Sequence, residues 1–158
     1  MAFSKVIEMR TTVVCITVAL AVPALAFIDE DPGLYAEEFS IQTEALGAAM
    51  DDLGAILEQA VAGDIGERET ELRTLRGDFD AVYNVISEWE EIPDEYTLCT
   101  AALEDGAVKA GESVDGLLEY ASGDDDVALV RAAMKYEEAF QAYSKALDTY
   151  PYLIDEDE

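Results

Sequence analysis

Glu90, Glu91, Asp94 and Glu95 lie within one short stretch bracketed by Trp89 and Tyr96. Carboxylates at that density can coordinate a divalent cation through oxygen alone, or pair with Lys and Arg of a partner segment. Neighbouring ring faces add cation–π attraction. The same chemistry recurs near the ends of the chain, in Asp29, Glu30, Asp31, Glu37 and Glu38, and again in Asp155, Glu156, Asp157 and Glu158. Tyr35, Tyr150 and Tyr152 accompany those acids. A divalent site here would be weak and built from several segments. Asp124-Asp125-Asp126 lacks the following Gly and distal Glu that a calcium-binding helix–loop–helix requires. The plainer reading of the rings is that they close the end of a core, and of the acids that they form a solvated shell.

Composition excludes more than it offers. The 158 residues carry 36 Asp and Glu against 9 Lys and Arg, a formal charge of -27, and no His. Such a field repels nucleic acid. Without His there is no axial haem ligand of the usual kind and no Glu-x-x-His di-metal motif. Neither a glycine-rich phosphate loop nor a nucleophile elbow is present, and the two cysteines do not cluster. Paired carboxylates can run glycoside hydrolysis, but that needs a cleft, which a small bundle scarcely provides. The expectation is therefore a non-enzymatic chain with no catalytic residues and no cofactor. Few lysines with many acids also suit a salt-rich medium, where self-repulsion is screened.

The first residues read as an address. Lys5 and Arg10 precede an apolar run over residues 11–22, Pro23 breaks it, and Ala24-Leu25-Ala26 offers small residues for cleavage. This is the layout of a secretory signal peptide over 1–26, leaving residues 27–158 as the mature chain. The competing reading is an uncleaved membrane anchor, because residues 11–28 carry no charge. Cys15 leaves with the signal, and Cys99 remains as either a small buried side chain or the bridge of a disulfide-linked dimer.

Elements that could position the acids are helices. Pro32 and Pro93 suit first turns, Gly63-Asp64 and Gly123-Asp124 read as a helix stop followed by an N-cap, and Pro151 ends the last segment. Four helices of nearly equal length follow, each about 40 Å long at ~1.5 Å per residue. Apolar residues recur in steps of three and four. One stripe is Leu72, Leu75, Phe79, Val82, Ile86 and Trp89; another is Ala133, Tyr136, Phe140, Tyr143, Leu147 and Tyr150. Tyr96, Leu103, Ala107, Ala110, Val114, Leu117 and Ala121 form a third, and Leu46, Ala49 or Met50, Leu53, Leu57 and Ala60 a fourth. Tyr35 and Tyr96 stand at the same offset from Pro32 and Pro93, as if one helical hairpin were repeated. Gly47, Gly54, Gly106, Gly111 and Gly116 would let the first and third helices approach closely, or mark bends.

The predicted fold class is all-α: an antiparallel up-down-up-down four-helix bundle of two helical hairpins, with a short acidic C-terminal tail. The expected function is an exported binding or structural protein of the cell envelope, periplasm or extracellular space. It presents an anionic surface to a basic protein segment or to a weakly bound divalent cation. Trp89 and Tyr96 would be the anchors, and Glu90, Glu91, Asp94 and Glu95 the charge. The alternative is a laterally packing assembly subunit whose acids serve only solubility or salt adaptation.

Overall fold

The computed structural model describes residues 32–66, 68–123 and 125–151. Residues 1–26, predicted as a signal peptide, and Asp29 to Asp31, Glu67, Asp124, Tyr152 and the acidic tail lie outside the described residues. Four helices pack against one another: α1 (Pro32–Val61), α2 (Glu69–Ser87), α3 (Thr97–Gly123) and α4 (Asp126–Thr149). A single 3-10 turn, Asp94–Tyr96, leads into α3. There is no strand among the described residues.

The helices begin and end for local reasons, not always those predicted. Gly63 (φ +80) stops α1, with Gly63 N–H donating to the Ala60 carbonyl at 3.0 Å and Asp64 N–H to that of Gln59 at 2.9 Å. Those paired bonds satisfy the last carbonyls of the helix and need a left-handed residue between them. Asp64 does not then start the next helix. A second left-handed glycine, Gly66 (φ +46), prolongs the turn, and Arg68 takes the N-cap position without a side-chain cap. Consequently α2 has 19 residues against 30 in α1, 27 in α3 and 24 in α4, so the helices are not nearly equal. Pro93 also lies outside a first turn. It is extended (ψ 143) and precedes the 3-10 turn, while Asp125, not Asp124, caps α4 by accepting from Val127 N–H at 2.9 Å.

The core runs the length of the helices and keeps most of the predicted stripes. The five α2 positions from Leu72 to Ile86 are buried, and so is Trp89 just beyond the helix end. Tyr96 of the 3-10 turn and Leu103, Ala107, Ala110, Val114 and Leu117 of α3 are buried, with Ala121 at the margin. On α1 Leu46, Ala49, Met50, Leu53 and Ala60 are buried as predicted, but Ile56 takes the place expected of Leu57, which is only partly buried.

The α4 stripe is rotated from prediction. Its buried face is Ala128, Ala132, Ala139, Ala142 and Ala146, while Phe140 is 50% exposed and Tyr136, Tyr143 and Tyr150 are only partly covered. The reason is the opposing surface of α3, made of Gly106, Gly116 and Ser113. Gly116 sits against Ala128 and Ala132, and Gly106 against Ala139 and Tyr143. Ser113 Oγ donates to the Ala132 carbonyl at 2.8 Å. At such an approach only methyl groups fit, so the large residues are displaced to the flank. Gly47 and Gly54 differ from prediction too, facing Tyr143 and Tyr136 of α4 rather than α3.

Candidate cation-receiving surface

The loop between α2 and α3 carries the candidate residues, and its geometry separates rings from charges. Trp89 is the last buried position of the α2 stripe and Tyr96 the first of α3, so both rings are drawn inward at 8% and 3% exposure. They join Tyr35, Phe39 and Tyr150 in one aromatic cluster. Ring centroids are 5.0 Å apart for Tyr35 and Trp89, 4.6 Å for Tyr35 and Tyr96, and 4.8 Å for the stacked Phe39 and Tyr150. These are edge, tilted and stacked pairs of the kind that stabilise an apolar interior. Sequence reasoning grouped Tyr35, Trp89, Tyr96 and Tyr150 but missed Phe39; the structure turns the faces to the core, so the two anchors do not offer rings to solvent.

Three further groups tie the cluster together. Thr100 Oγ1 donates its one proton to the Tyr96 carbonyl at 2.7 Å, so in the short bond between Tyr35 and Thr100 the tyrosine is the donor. Burial pushes the Tyr35 hydroxyl far above its ordinary value. Cys99 is fully buried, its thiol donates to the Tyr96 carbonyl, and burial raises its pKa. A thiol so enclosed offers no exposed sulfur for a bridge to a second chain. The Trp89 indole N–H is buried with no acceptor among the described residues.

The carboxylates stay outside. Glu88, Glu90, Glu91, Asp94 and Glu95 are exposed, and none makes an ion pair among the described residues. Glu91 holds a left-handed backbone (φ 56), which re-aims the chain between the two buried rings. The bases are spent elsewhere. Arg76 bridges Asp80 and Asp115, while Lys109 and Lys135 share Glu112 and Glu138. That network holds Glu112 and Glu138 below the usual carboxylate range, chiefly through hydrogen bonds to Lys135. Among the described residues no three carboxylate or thiol groups converge closely enough to hold a metal ion.

Two grooves flank α4. One, of about 410 Å³, lies against α3 and has mixed charge from Asp105, Lys109, Glu138 and Lys145. The other, of about 320 Å³, lies against α1 and is lined by Glu44, Gly47, Asp51, Tyr136, Phe140 and Tyr143. Sequence reasoning missed the second because it assigned those aromatics to the core. The available signal was the shared seven-residue spacing of Gly47 with Gly54 and of Tyr136 with Tyr143.

Compared with protein-family models, curated proteins and solved structures, the chain matches none. No described helix is long and apolar enough to cross a membrane.

Proposed function

We propose that this is an exported, non-enzymatic binding protein of the cell envelope or extracellular space that presents an anionic pole to a basic partner segment. One observation carries the reading: the carboxylates of residues 88–95 are exposed and unneutralised, whereas nearly every described Lys and Arg is already paired with an acid elsewhere. A surface of uncompensated like charge speeds and orients encounter with an oppositely charged partner. A basic segment is favoured over a divalent ion because the described acids do not converge into a coordinating set.

An up-down-up-down order supports the reading by bringing the α2–α3 loop beside the start of α1 and the end of α4. It is supported in turn by the contacts of Tyr35 with Trp89, Tyr96 and Thr100, and of Phe39 with Tyr150. Export rests on the three-part layout of residues 1–26.

The test is titration of the full chain with a Lys/Arg-rich synthetic peptide. Replacing Glu90, Glu91, Asp94 and Glu95 by their amides should weaken binding about tenfold or more at moderate salt. Unchanged affinity sinks the reading. A saturable, calcium-specific rise in melting temperature at fixed ionic strength would instead give the pole an ion-binding role.

The alternative, lateral assembly, is favoured by one row: Val127, Val130 and Met134 of α4 are exposed at 65%, 60% and 60%. Self-association in sedimentation that Val130→Lys abolishes would select it.

A further inference from the structure

A second surface, away from the pole, has a pattern that the preceding reading does not use. Along the groove between α1 and α4 four rows share a period of seven. Glu44 and Asp51 supply charge, and Glu58 continues their row in sequence; Gly47 and Gly54 give a floor without side chains; Tyr136 and Tyr143 form a wall; Phe140 is a half-exposed apolar residue, with Leu147 continuing its row in sequence. The hydroxyls of Tyr143 and Tyr136 lie over Gly47 and Gly54, each 2.6 Å from where a Cβ would be. Alanine at either glycine would therefore push the neighbouring ring into the groove.

The charge of the groove has one sign. α1 contains no Lys or Arg along its whole length. On α4, Arg131 and Lys135 reach acids of α3, and Lys145 lines the opposite groove. Burial raises the hydroxyl pKa of both tyrosines, and next in order comes the field of Asp51, joined by Glu58 and Glu137 at Tyr136 and by Glu44 at Tyr143. The acids that line the groove, Glu44 and Asp51, both come from α1.

We propose that the α1–α4 groove is the docking seam for a basic amphipathic helix of a partner protein. That helix lies along the bundle with Lys or Arg opposite Glu44, Asp51 and Glu58 and an apolar residue over Phe140. A helix parallel to the bundle presents one residue type every seven positions, which matches the four rows; an extended segment does not. Charge complementarity selects a basic occupant. A second copy of this chain, at -27, would set acids against acids.

The test titrates the full chain with two synthetic peptides of identical composition. In one, Lys and Leu recur with heptad spacing; in the other their order is scrambled. The patterned peptide should bind about tenfold more tightly. Glu44→Gln with Asp51→Asn, and separately Phe140→Ala, should each erase most of that preference, because these exposed positions read the pattern and not the net charge. Melting temperature checks that each variant is folded, and the carboxylate pair stands if Phe140→Ala does not. The amide variants of the pole should leave the preference intact. Equal binding of both peptides overturns the proposal, as does a preference that survives the groove variants. Binding lost only in the pole variants would retain the preceding reading and remove this one. Self-association abolished by Phe140→Ala would put a second copy in the groove and also overturn it.

Discussion

Gly116 of α3 stands so close to Ala132 of α4 that a Cβ placed on the glycine would lie 3.0 Å from the alanine methyl and 3.2 Å from its Cα. The Ala128 carbonyl closes the other side at 3.2 Å. Two of those three neighbours are backbone, so neither helix can yield without shifting as a whole.

Gly116→Ala should therefore destabilise the protein by about 1–3 kcal/mol, the range for overpacking a tight contact. Gly77 is the internal control. It is exposed on α2, and a methyl added there would meet nothing within 4 Å, so Gly77→Ala should stabilise by about 1 kcal/mol through helix propensity. Urea unfolding of the two variants should give opposite signs; matching signs would remove the close-packing account of α3 and α4.

The Tyr35–Thr100–Tyr96 chain predicts an asymmetry. Tyr35→Phe removes a donor and leaves Thr100 bonded to the Tyr96 carbonyl, costing about 0.5–1.5 kcal/mol. Thr100→Val removes the acceptor and leaves a buried tyrosine hydroxyl unpaired, costing about 1–3 kcal/mol. Denaturant melts should rank Thr100→Val as the worse change.

Glu91 occupies a backbone region that disfavours side chains by roughly 1–2 kcal/mol. Glu91→Gly relieves this at an entropic cost, so the net gain should be a few tenths to about 1 kcal/mol. The same substitution removes one pole carboxylate, so stability should rise while affinity for a basic peptide falls. A falling melting temperature would contradict the backbone assignment.

Asp52 and Asp78 both titrate above their ordinary value of 3.8, first through burial, then for Asp52 through Glu71 and Asp51 and for Asp78 through Asp52. A carboxyl whose folded pKa is raised holds its proton more tightly in the folded state. Stability should then fall as pH rises from 3.8 through the raised folded values. Asp52→Asn should flatten that slope and add a few tenths of a kcal/mol near neutrality, the modest size reflecting solvent screening. A steeper slope in the variant would reverse the sign and refute the pairing.

Much of the architecture is legible from residues alone. The α2 stripe from Leu72 to Trp89 is buried throughout because its steps of three and four fit one face, and nothing opposite competes with that face. The α4 stripe misleads because hydrophobicity ranks Phe140 and Leu147 above Ala139 and Ala142. Contact distance ranks them the other way once Gly106 and Gly116 of α3 draw the helices together. The start of α2 is obscured by Gly66, whose left-handed turn moves it past Asp64. At the pole, the exposure of Glu90, Glu91, Asp94 and Glu95 follows from their charge alone. The inward turn of Trp89 and Tyr96 needs the helix phase on both sides of the loop.

Trp89 is the sole tryptophan of the chain, held at 8% exposure beside Tyr35 and directly preceding Glu90 and Glu91. Its emission therefore comes from one address. In the folded protein the indole should emit toward the blue, as enclosed indoles do, with Tyr35 and Tyr96 near enough to pass on their excitation. A partner that settles on the acids overhead, or a loop that loosens beneath it, changes the colour and yield of that single lamp. The protein thus carries its own optical gauge for the state of the pole, and no label need be attached to read it.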